Sequence, residues 1–161
     1  MAALVLPLGV LVAVACDQTS SSGPDGGATG GAGGCPTGVF PWFTLHVTAH
    51  DGALPPDTTV VVTWSVRVEP PFKLDDPSTW KTLEQGTNVV CSVDRDAAPP
   101  TDLQELVCEL WTNGATQVEV SATDYLTAEK TFTPAQRDGC TGPVPSDVAI
   151  EIVRDPDAGG A

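Results

Sequence analysis

Residues 58–69 read Thr-Thr-Val-Val-Val-Thr-Trp-Ser-Val-Arg-Val-Glu and form the strongest strand pattern in the chain. β-Branched and aromatic residues dominate this stretch, and apolar side chains recur at every second position, as in a strand with one buried face. Pro70 and Pro71 then withdraw two backbone donors, so we expect the strand to end there. The predicted inner face consists of Val60, Val62, Trp64, Val66 and Val68, and the outer face of Val61, Thr63, Ser65, Arg67 and Glu69.

Weaker alternating patterns surround this stretch and are separated by the Gly, Pro, Asn and Asp residues typical of turns. One of them, Asn113-Gly114, is a strong hairpin signal. No segment has the period of an amphipathic helix. About seven short strands predict an all-β fold, a single antiparallel β-sandwich of Ig-like or prealbumin-like type. The further predicted strands are 43–49, 88–93, 106–110, 117–123, 125–133 and 148–152.

Three segments carry a family resemblance. Residues 45–52 read Leu-His-Val-Thr-Ala-His-Asp-Gly, residues 54–56 read Leu-Pro-Pro, and residues 118–125 read Val-Glu-Val-Ser-Ala-Thr-Asp-Tyr. This order resembles the carboxypeptidase regulatory-like (prealbumin-like) domains: an opening strand and turn, a proline-containing step, and a late Val-x-Val-x-Ala-x-Gly-Tyr. Asp124 stands where that pattern has glycine. The resemblance implies an accessory β-sandwich with no chemistry of its own.

The N-terminus predicts export. Residues 2–15 contain no charged side chain and end in Leu-Val-Ala-Val-Ala directly before Cys16, which is the layout of a secretory signal peptide. A run of this length is shorter than the roughly 17 to 25 residues that a membrane-spanning helix needs. The small residues before the cysteine resemble the lipobox of bacterial lipoproteins, in which the cysteine becomes the first mature residue and carries the lipid. We therefore expect a signal peptide over 1–15 and a palmitate-type anchor on Cys16.

Two alternatives stay open at this end of the chain. No Lys or Arg lies between Met1 and Cys16, although a signal peptide normally begins with positive charge. Either the start of the protein lies upstream of Met1, or the free amine alone supplies the charge. The second alternative is an ordinary signal peptide that is cut near Ala15 and leaves Cys16 as a free thiol.

A flexible tether is expected after the anchor. Residues 17–34 contain seven glycines and a Thr-Ser-Ser-Ser tract, with hardly any apolar side chain to bury. A Gly-rich coil of this length has a root-mean-square reach of roughly 20 to 25 Å. The predicted organisation is thus a lipidated linker over 16–34, a β-sandwich over 35–153 and a disordered tail over 154–161.

The remaining cysteines predict disulfides, because an exported chain with an even number of cysteines and no C-x-x-C spacing is typical of a bridged domain. Three pairings are possible. We expect Cys91 to pair with Cys108, since both lie on the apolar face of consecutive predicted strands. Cys35 and Cys140 would then clamp the start of the domain to its end.

Composition excludes some partners. The chain has 21 Asp and Glu against seven Lys and Arg, a formal net charge of −14. Nucleic acids and anionic lipid surfaces would be repelled, so neither is an expected partner of the folded domain. We interpret the acidity as the solubility of an exported surface rather than as an acidic functional patch.

No motif for catalysis is present: the sequence has no G-x-S-x-G, H-E-x-x-H, P-loop or dinucleotide fingerprint. His46 and His50 share one strand face, but extended chain places them roughly 13 Å apart, too far to chelate one ion. We predict no catalytic residue, no metal ion and no cofactor. Asp75 and Asp76, or Asp94 and Asp96, are the candidate ligands of a calcium site in loops, and plain solvated turns are the favoured alternative.

The long connection 72–86 has no strand period and contains Trp80. Long loops often carry function, so Trp80 and Trp111 are the predicted binding contacts. The alternative is that Trp80 covers one end of the sandwich. The expected function is a non-enzymatic module in the bacterial cell envelope, facing the periplasm or the exterior, that binds an envelope protein or a glycan. The alternatives are an assembly subunit that offers an open edge strand, and a hydrolase, which is the least favoured.

Overall fold

The computed structural model of the chain describes residues 39–136, 138–139 and 142–159. These residues belong to a unit that spans Gly34–Ala161. The predicted signal peptide, Cys16, the linker, and Cys35 and Cys140 lie outside the described residues. In the described part of the chain, no helix is long and apolar enough to cross a membrane.

The described residues form strands and two short 3₁₀ turns, at Pro77–Thr79 and Leu83–Gln85, as an all-β fold predicts. The strands are β1 (Phe43–Ala49), β2 (Thr59–Trp64), β3 (Arg67–Val68), β4 (Phe72–Lys73), β5 (Val89–Cys91), β6 (Glu105–Leu110), β7 (Thr116–Ser121), β8 (Ala128–Phe132), β9 (Ala135–Gln136), β10 (Pro143–Val144) and β11 (Ser146–Ile152).

Two sheets enclose one core. The first sheet has the strand order β11-β1-β6-β5, and the second has the order β3-β2-β7-β8, with β4 also paired to β2. β9 and β10 form a separate two-stranded ribbon. β1 pairs antiparallel with β6 but parallel with β11, with Phe43 opposite Ser146 and Ala49 opposite Ile152. The predicted β-sandwich is confirmed, with the correction that one pair of strands is parallel.

The core follows the predicted alternation in most strands. In β1, Phe43, Leu45, Val47 and Ala49 are buried, while the residues between them are half-buried. Each buried Val, Leu or Phe contributes roughly 1.5 to 3 kcal/mol relative to an exposed one, so these residues hold the two sheets together. The other strands add Val60, Val62, Leu106, Cys108, Leu110, Val118, Val120, Phe132, Ile150 and Ile152 to the same cluster.

The segment 58–69 is not one strand, which corrects the prediction. β2 ends at Trp64, the chain reverses through Ser65 and Val66, and β3 pairs back so that Val68 lies opposite Thr63. Opposite residues of paired strands share a face, so a two-residue turn exchanges the odd and even positions. Val68 is therefore 63 % exposed, and Val66 in the turn is 98 % exposed. For the same reason Glu69, expected on the outer face, is buried.

The edge strand that follows is irregular. Three steps along β2, from Thr63 to Val60, correspond to four steps from Val68 to Phe72, so one extra residue is accommodated between β3 and β4. Pro70 and Pro71 lie at this point and supply no backbone donor. The result resembles a β-bulge, which interrupts the edge of the second sheet.

Residues 154–159 are ordered, in contrast to the disordered tail that the composition of 154–161 predicts. Arg154 forms an antiparallel bridge with Tyr125. Asp155 donates its backbone N–H to the Asp124 carbonyl at 2.8 Å, and its side chain accepts from the Asp157 N–H at 2.9 Å. Long-range pairing with residues 124–126 thus supplies the stabilisation that the local sequence lacks.

Candidate functional site

Trp80, a predicted binding contact, lies in the core. Only 4 % of it is exposed, its ring stacks on Phe72 with centroids 6.4 Å apart, and its Nε1 donates to the Lys73 carbonyl at 2.7 Å. A residue in this position has no surface to offer a ligand, so the prediction of a Trp80 binding contact is wrong. The alternative, that Trp80 covers part of the sandwich, describes the structure.

Trp111, the second predicted contact, is half-buried at the end of β6. Its Nε1 donates to Glu109 Oε2 at 3.2 Å, and its backbone N–H donates to the Asn88 carbonyl at 2.8 Å. The aromatic contacts of Trp80 are with Phe72 and do not include Trp111. The structure therefore does not bring the two tryptophans together into one aromatic surface.

The histidines occupy separate positions. His46 Nδ1 lies 2.8 Å from Glu105 Oε1, and His50 Nδ1 lies 3.4 Å from Glu151 Oε1. Each histidine thus has its own carboxylate partner. Among the described residues, no group of three His, Cys, Asp or Glu side chains could hold a metal ion.

One Asp of each candidate calcium pair, Asp76 and Asp94, organises a turn. Asp76 Oδ1 accepts from the Ser78 N–H at 3.0 Å and from the Ser78 hydroxyl at 2.7 Å, which caps the turn Pro77–Thr79. The Ser78 hydroxyl holds the pKa of Asp76 below its ordinary value, and the Ser78 N–H adds to this effect. Asp94 Oδ1 accepts from the Asp96 N–H at 3.1 Å in the same way.

The predicted bridge between Cys91 and Cys108 is present. The two residues lie directly opposite each other in β5 and β6, both are buried, and their sulfurs are bonded. The bridge therefore joins neighbouring strands of the first sheet. The other predicted pair, Cys35 and Cys140, lies outside the described residues.

Glu69 is a buried carboxylate with a full set of donors. Its Oε1 accepts from Trp64 Nε1 at 2.7 Å, Asn88 Nδ2 at 2.9 Å and Arg67 Nε at 3.0 Å, and its Oε2 accepts from the Asn88 N–H at 3.0 Å. Burial raises the pKa of Glu69, but the bonds from Trp64 and Asn88 and the charge of Arg67 outweigh it and hold the pKa below its ordinary value. Only 1 % of Glu69 is exposed and its oxygens already accept from three other residues, so we assign it a structural role.

The cleft that combines free polar groups with an aromatic ring lies at the opposite end of the sandwich, where β1 and β7 end and β2 begins. We call it the loop-end cleft. Its larger lobe, about 420 Å³, is lined by residues 53–57, Thr101, residues 123–125 and Arg154. Its smaller lobe, about 380 Å³, lies between Asp124 and the turn at 154–159.

Two contacts fix the wall formed by residues 53–57. Leu54 is buried, and its backbone N–H donates to the Leu103 carbonyl at 2.7 Å. Asp57 Oδ2 accepts from the Thr123 hydroxyl and from the Thr123 N–H, the latter at 2.9 Å. The Thr123 hydroxyl holds the pKa of Asp57 below its ordinary value, against a smaller opposing effect of burial. Asp57 therefore joins two loops and stays ionised.

The opposite wall depends on an unusual backbone conformation. Asp124 has φ of 64°, in the left-handed region that favours glycine, at the position where the carboxypeptidase regulatory-like pattern has glycine. Asp tolerates this conformation better than most residues, so the turn forms without glycine. Leu126 then donates its N–H to the Val153 carbonyl at 2.9 Å, which continues the pairing of the two segments.

Arg154 differs from the other described arginines. Its guanidinium carbon lies 5.5 Å from the centroid of the Tyr125 ring, and it forms no ion pair with any described carboxylate. By contrast, Arg67 pairs with Glu69, and Arg95 Nε donates to the Trp80 carbonyl at 3.2 Å. Apart from this cation–π contact with Tyr125, the guanidinium N–H groups of Arg154 have no hydrogen-bond partner among the described residues.

Sequence reasoning did not find this cleft. Arg154 falls in a Pro-, Gly- and Asp-rich segment, and the residues that meet it are far away in sequence. The one available signal was Asp124, which departs from the glycine of the resembled pattern just before Tyr125.

Comparison with known proteins supplies no assignment, since no family model and no curated protein matches the chain. The resemblance to carboxypeptidase regulatory-like domains therefore stays a prediction.

Proposed function

We propose that this protein is a lipid-anchored module of the bacterial cell envelope that binds a ligand in the loop-end cleft and performs no chemistry. The observation that carries the proposal is Arg154, which lines the cleft with its guanidinium carbon 5.5 Å from the Tyr125 ring centroid and forms no ion pair with a described carboxylate. Binding sites are commonly concave, partly apolar and equipped with a few fixed polar groups. These features are supplied here by Pro55, Pro56, Tyr125 and Arg154.

The composition of the cleft favours binding over catalysis. Neither lobe is lined by a histidine or a cysteine, the residues that most often act as base or nucleophile. Asp57 is engaged with Thr123, and Glu69 lies at the other end of the sandwich. The remaining side chains can orient and hold a ligand.

The protected sheet edges count against the alternative of an assembly subunit. β5 is an edge strand, and its Val89 N–H and carbonyl both bond to the Thr87 hydroxyl, at 3.1 and 3.3 Å. β3 and β4 are interrupted by Pro70 and Pro71. Lys130 of β8 donates to the Ala149 carbonyl of β11 at 3.3 Å. Such features discourage the addition of a further strand.

The proposed location in the cell envelope rests on the N-terminal sequence. The disulfide bridge between Cys91 and Cys108 supports it, because disulfides persist in oxidising compartments. The protein extracted from membranes should have the mass of a chain that begins at an acylated Cys16. A Cys16→Ser variant should leave the membrane fraction. Recovery of that variant in the membrane with the same N-terminus would contradict the lipid anchor.

Binding can be tested by photo-crosslinking in native membranes. A photoreactive phenylalanine analogue at position 126 would lie beside the cleft. Leu126 is 50 % exposed, and its backbone N–H donates to the carbonyl of Val153, next to Arg154. The matched control is position 66, where Val66 is exposed at the opposite end. We expect an adduct at 126 alone that disappears with Arg154→Gln. The same adducts at both positions, or an adduct indifferent to Arg154, would contradict binding in the cleft.

A further inference from the structure

The two lobes of the loop-end cleft share two residues, Asp124 and Arg154. Their charges are opposite, yet they form no ion pair with each other. The described part of the chain offers no hydrogen-bond partner to the Asp124 carboxylate, and Arg154 has only the Tyr125 ring. The cleft thus contains one free cation and one free anion.

Backbone contacts set where these two residues lie. The left-handed conformation of Asp124 and the bond from the Asp155 N–H to the Asp124 carbonyl fix one side. The bridge between Tyr125 and Arg154, with the guanidinium over the ring, fixes the other. The same antiparallel pairing thus sets both backbone positions, and both residues line the two lobes of the cleft.

The charge balance of the cleft selects among ligands. Asp57 and Asp155 also line it, so an anion alone would meet one cation among three carboxylates, on a protein of net charge −14. A cation alone would leave the Arg154 donors unused. A ligand with both charges can satisfy both groups, and the larger lobe of about 420 Å³ has the size of a site for a small molecule.

We propose that the loop-end cleft binds a zwitterion of the amino-acid or short-peptide class. The ligand's carboxylate pairs with the guanidinium N–H groups of Arg154, its ammonium group pairs with Asp124, and its apolar part lies against Pro55 and Pro56. This inference rests on the proposed function, since it names the ligand of the same cleft. It requires no bond to form or break.

The test uses the purified full chain in detergent and three probes, with binding measured by isothermal titration calorimetry. The probes are L-alanyl-L-alanine, N-acetyl-L-alanyl-L-alanine and L-alanyl-L-alaninamide, which carry both charges, the negative charge alone and the positive charge alone. A probe whose ammonium or carboxylate group is blocked loses the charge-assisted hydrogen bonds of that group, so its binding should be about tenfold weaker. O-Phosphorylethanolamine serves as a fourth probe, with phosphate in place of carboxylate.

Two cleft variants assign the charges. Arg154→Gln should remove the preference for the dipeptide over its amide, and Asp124→Asn should remove the preference over the acetylated dipeptide. Asn also tolerates the left-handed conformation, so the second variant should fold. The matched controls are Lys81→Gln and Asp75→Asn, which remove single charges outside the cleft and should leave affinity unchanged. Arg154→Lys should recover part of the preference.

Equal affinities for the three alanine probes, tighter binding of O-phosphorylethanolamine, or preferences that survive both cleft variants would overturn the inference. If no probe binds while the adduct from position 126 still depends on Arg154, the zwitterion is wrong and the binding function stands. If the adduct is absent as well, both proposals fail.

Discussion

The indole N–H of Trp64 donates to Glu69 Oε1 at 2.7 Å, across the turn that reverses the chain between these two residues. The same carboxylate accepts from Asn88, which precedes β5 in the opposite sheet. One buried side chain therefore ties the end of β2, the start of β3 and the start of β5 together. This network closes the end of the sandwich away from the cleft.

Glu69→Gln should destabilise the protein by about 3 kcal/mol at pH 7, because the amide group would oppose the donors that face it. The folded-state pKa of Glu69 is lowered, so its stabilisation is complete above the ordinary value of 4.5 and is lost as pH falls through the lower folded pKa. The difference between wild type and variant should therefore shrink from pH 5 to pH 3. Urea unfolding at several pH values measures it, with exposed Glu84→Gln as the control. A pH-independent difference would contradict the ionised network.

Trp80→Ala should lower the free energy of unfolding by about 3 to 5 kcal/mol, as expected for truncation of a large core residue. Trp80→Phe should cost much less, because it keeps a ring against Phe72 and loses the bond to the Lys73 carbonyl. Thermal unfolding of the two variants provides the comparison. An unchanged melting temperature for Trp80→Ala would show that Trp80 is not part of the core.

Ser65→Gly should stabilise the protein by up to about 1 kcal/mol. Ser65 has φ of 54°, a conformation that costs L-residues energy and glycine very little. Ser92→Gly is the control: Ser92 is exposed with ordinary φ, so added chain freedom should destabilise that variant slightly. Chemical denaturation measures both. If both variants lose the same free energy of unfolding, the turn is not strained at Ser65.

The cysteines outside the described residues give a separate prediction. With Cys91 bonded to Cys108, we expect Cys35 to pair with Cys140, a long loop whose closure contributes roughly 4 to 5 kcal/mol in the chain-entropy model. Non-reducing peptide mapping should recover a peptide that links the two. A free thiol at either position, or a peptide that links Cys35 to Cys108, would refute this pairing.

The sequence predicts the strands well where burial follows local alternation, as in β1 and β6. It fails at Ser65 because no glycine or asparagine marks the turn, and the alternation of valines continues unchanged through it. Only pairing across the turn exchanges the faces and buries Glu69. The parallel pairing of β1 with β11 is equally invisible, since it joins segments about a hundred residues apart.

The candidate site shows the same limit. Arg154 and Tyr125 meet through backbone pairing between distant segments. The left-handed conformation of Asp124 is indicated in the sequence only by the glycine that the resembled pattern has at this position. Trp80 was misplaced because a loop residue buried by contacts with Phe72 and Lys73 leaves no periodic pattern.

The parallel pairing of β1 with β11 has a mechanical consequence. The chain enters the sandwich at Phe43, whereas the cleft lies beyond Ile152 and Ala49, roughly 20 Å farther along the strands. Tension between the entering chain and a ligand held at Arg154 would pull β1 and β11 lengthwise in opposite directions. A ladder loaded in shear resists as a whole, because its hydrogen bonds must break together rather than one at a time. We therefore expect high rupture forces in single-molecule pulling between these two points, and low forces when β8 is peeled from β7.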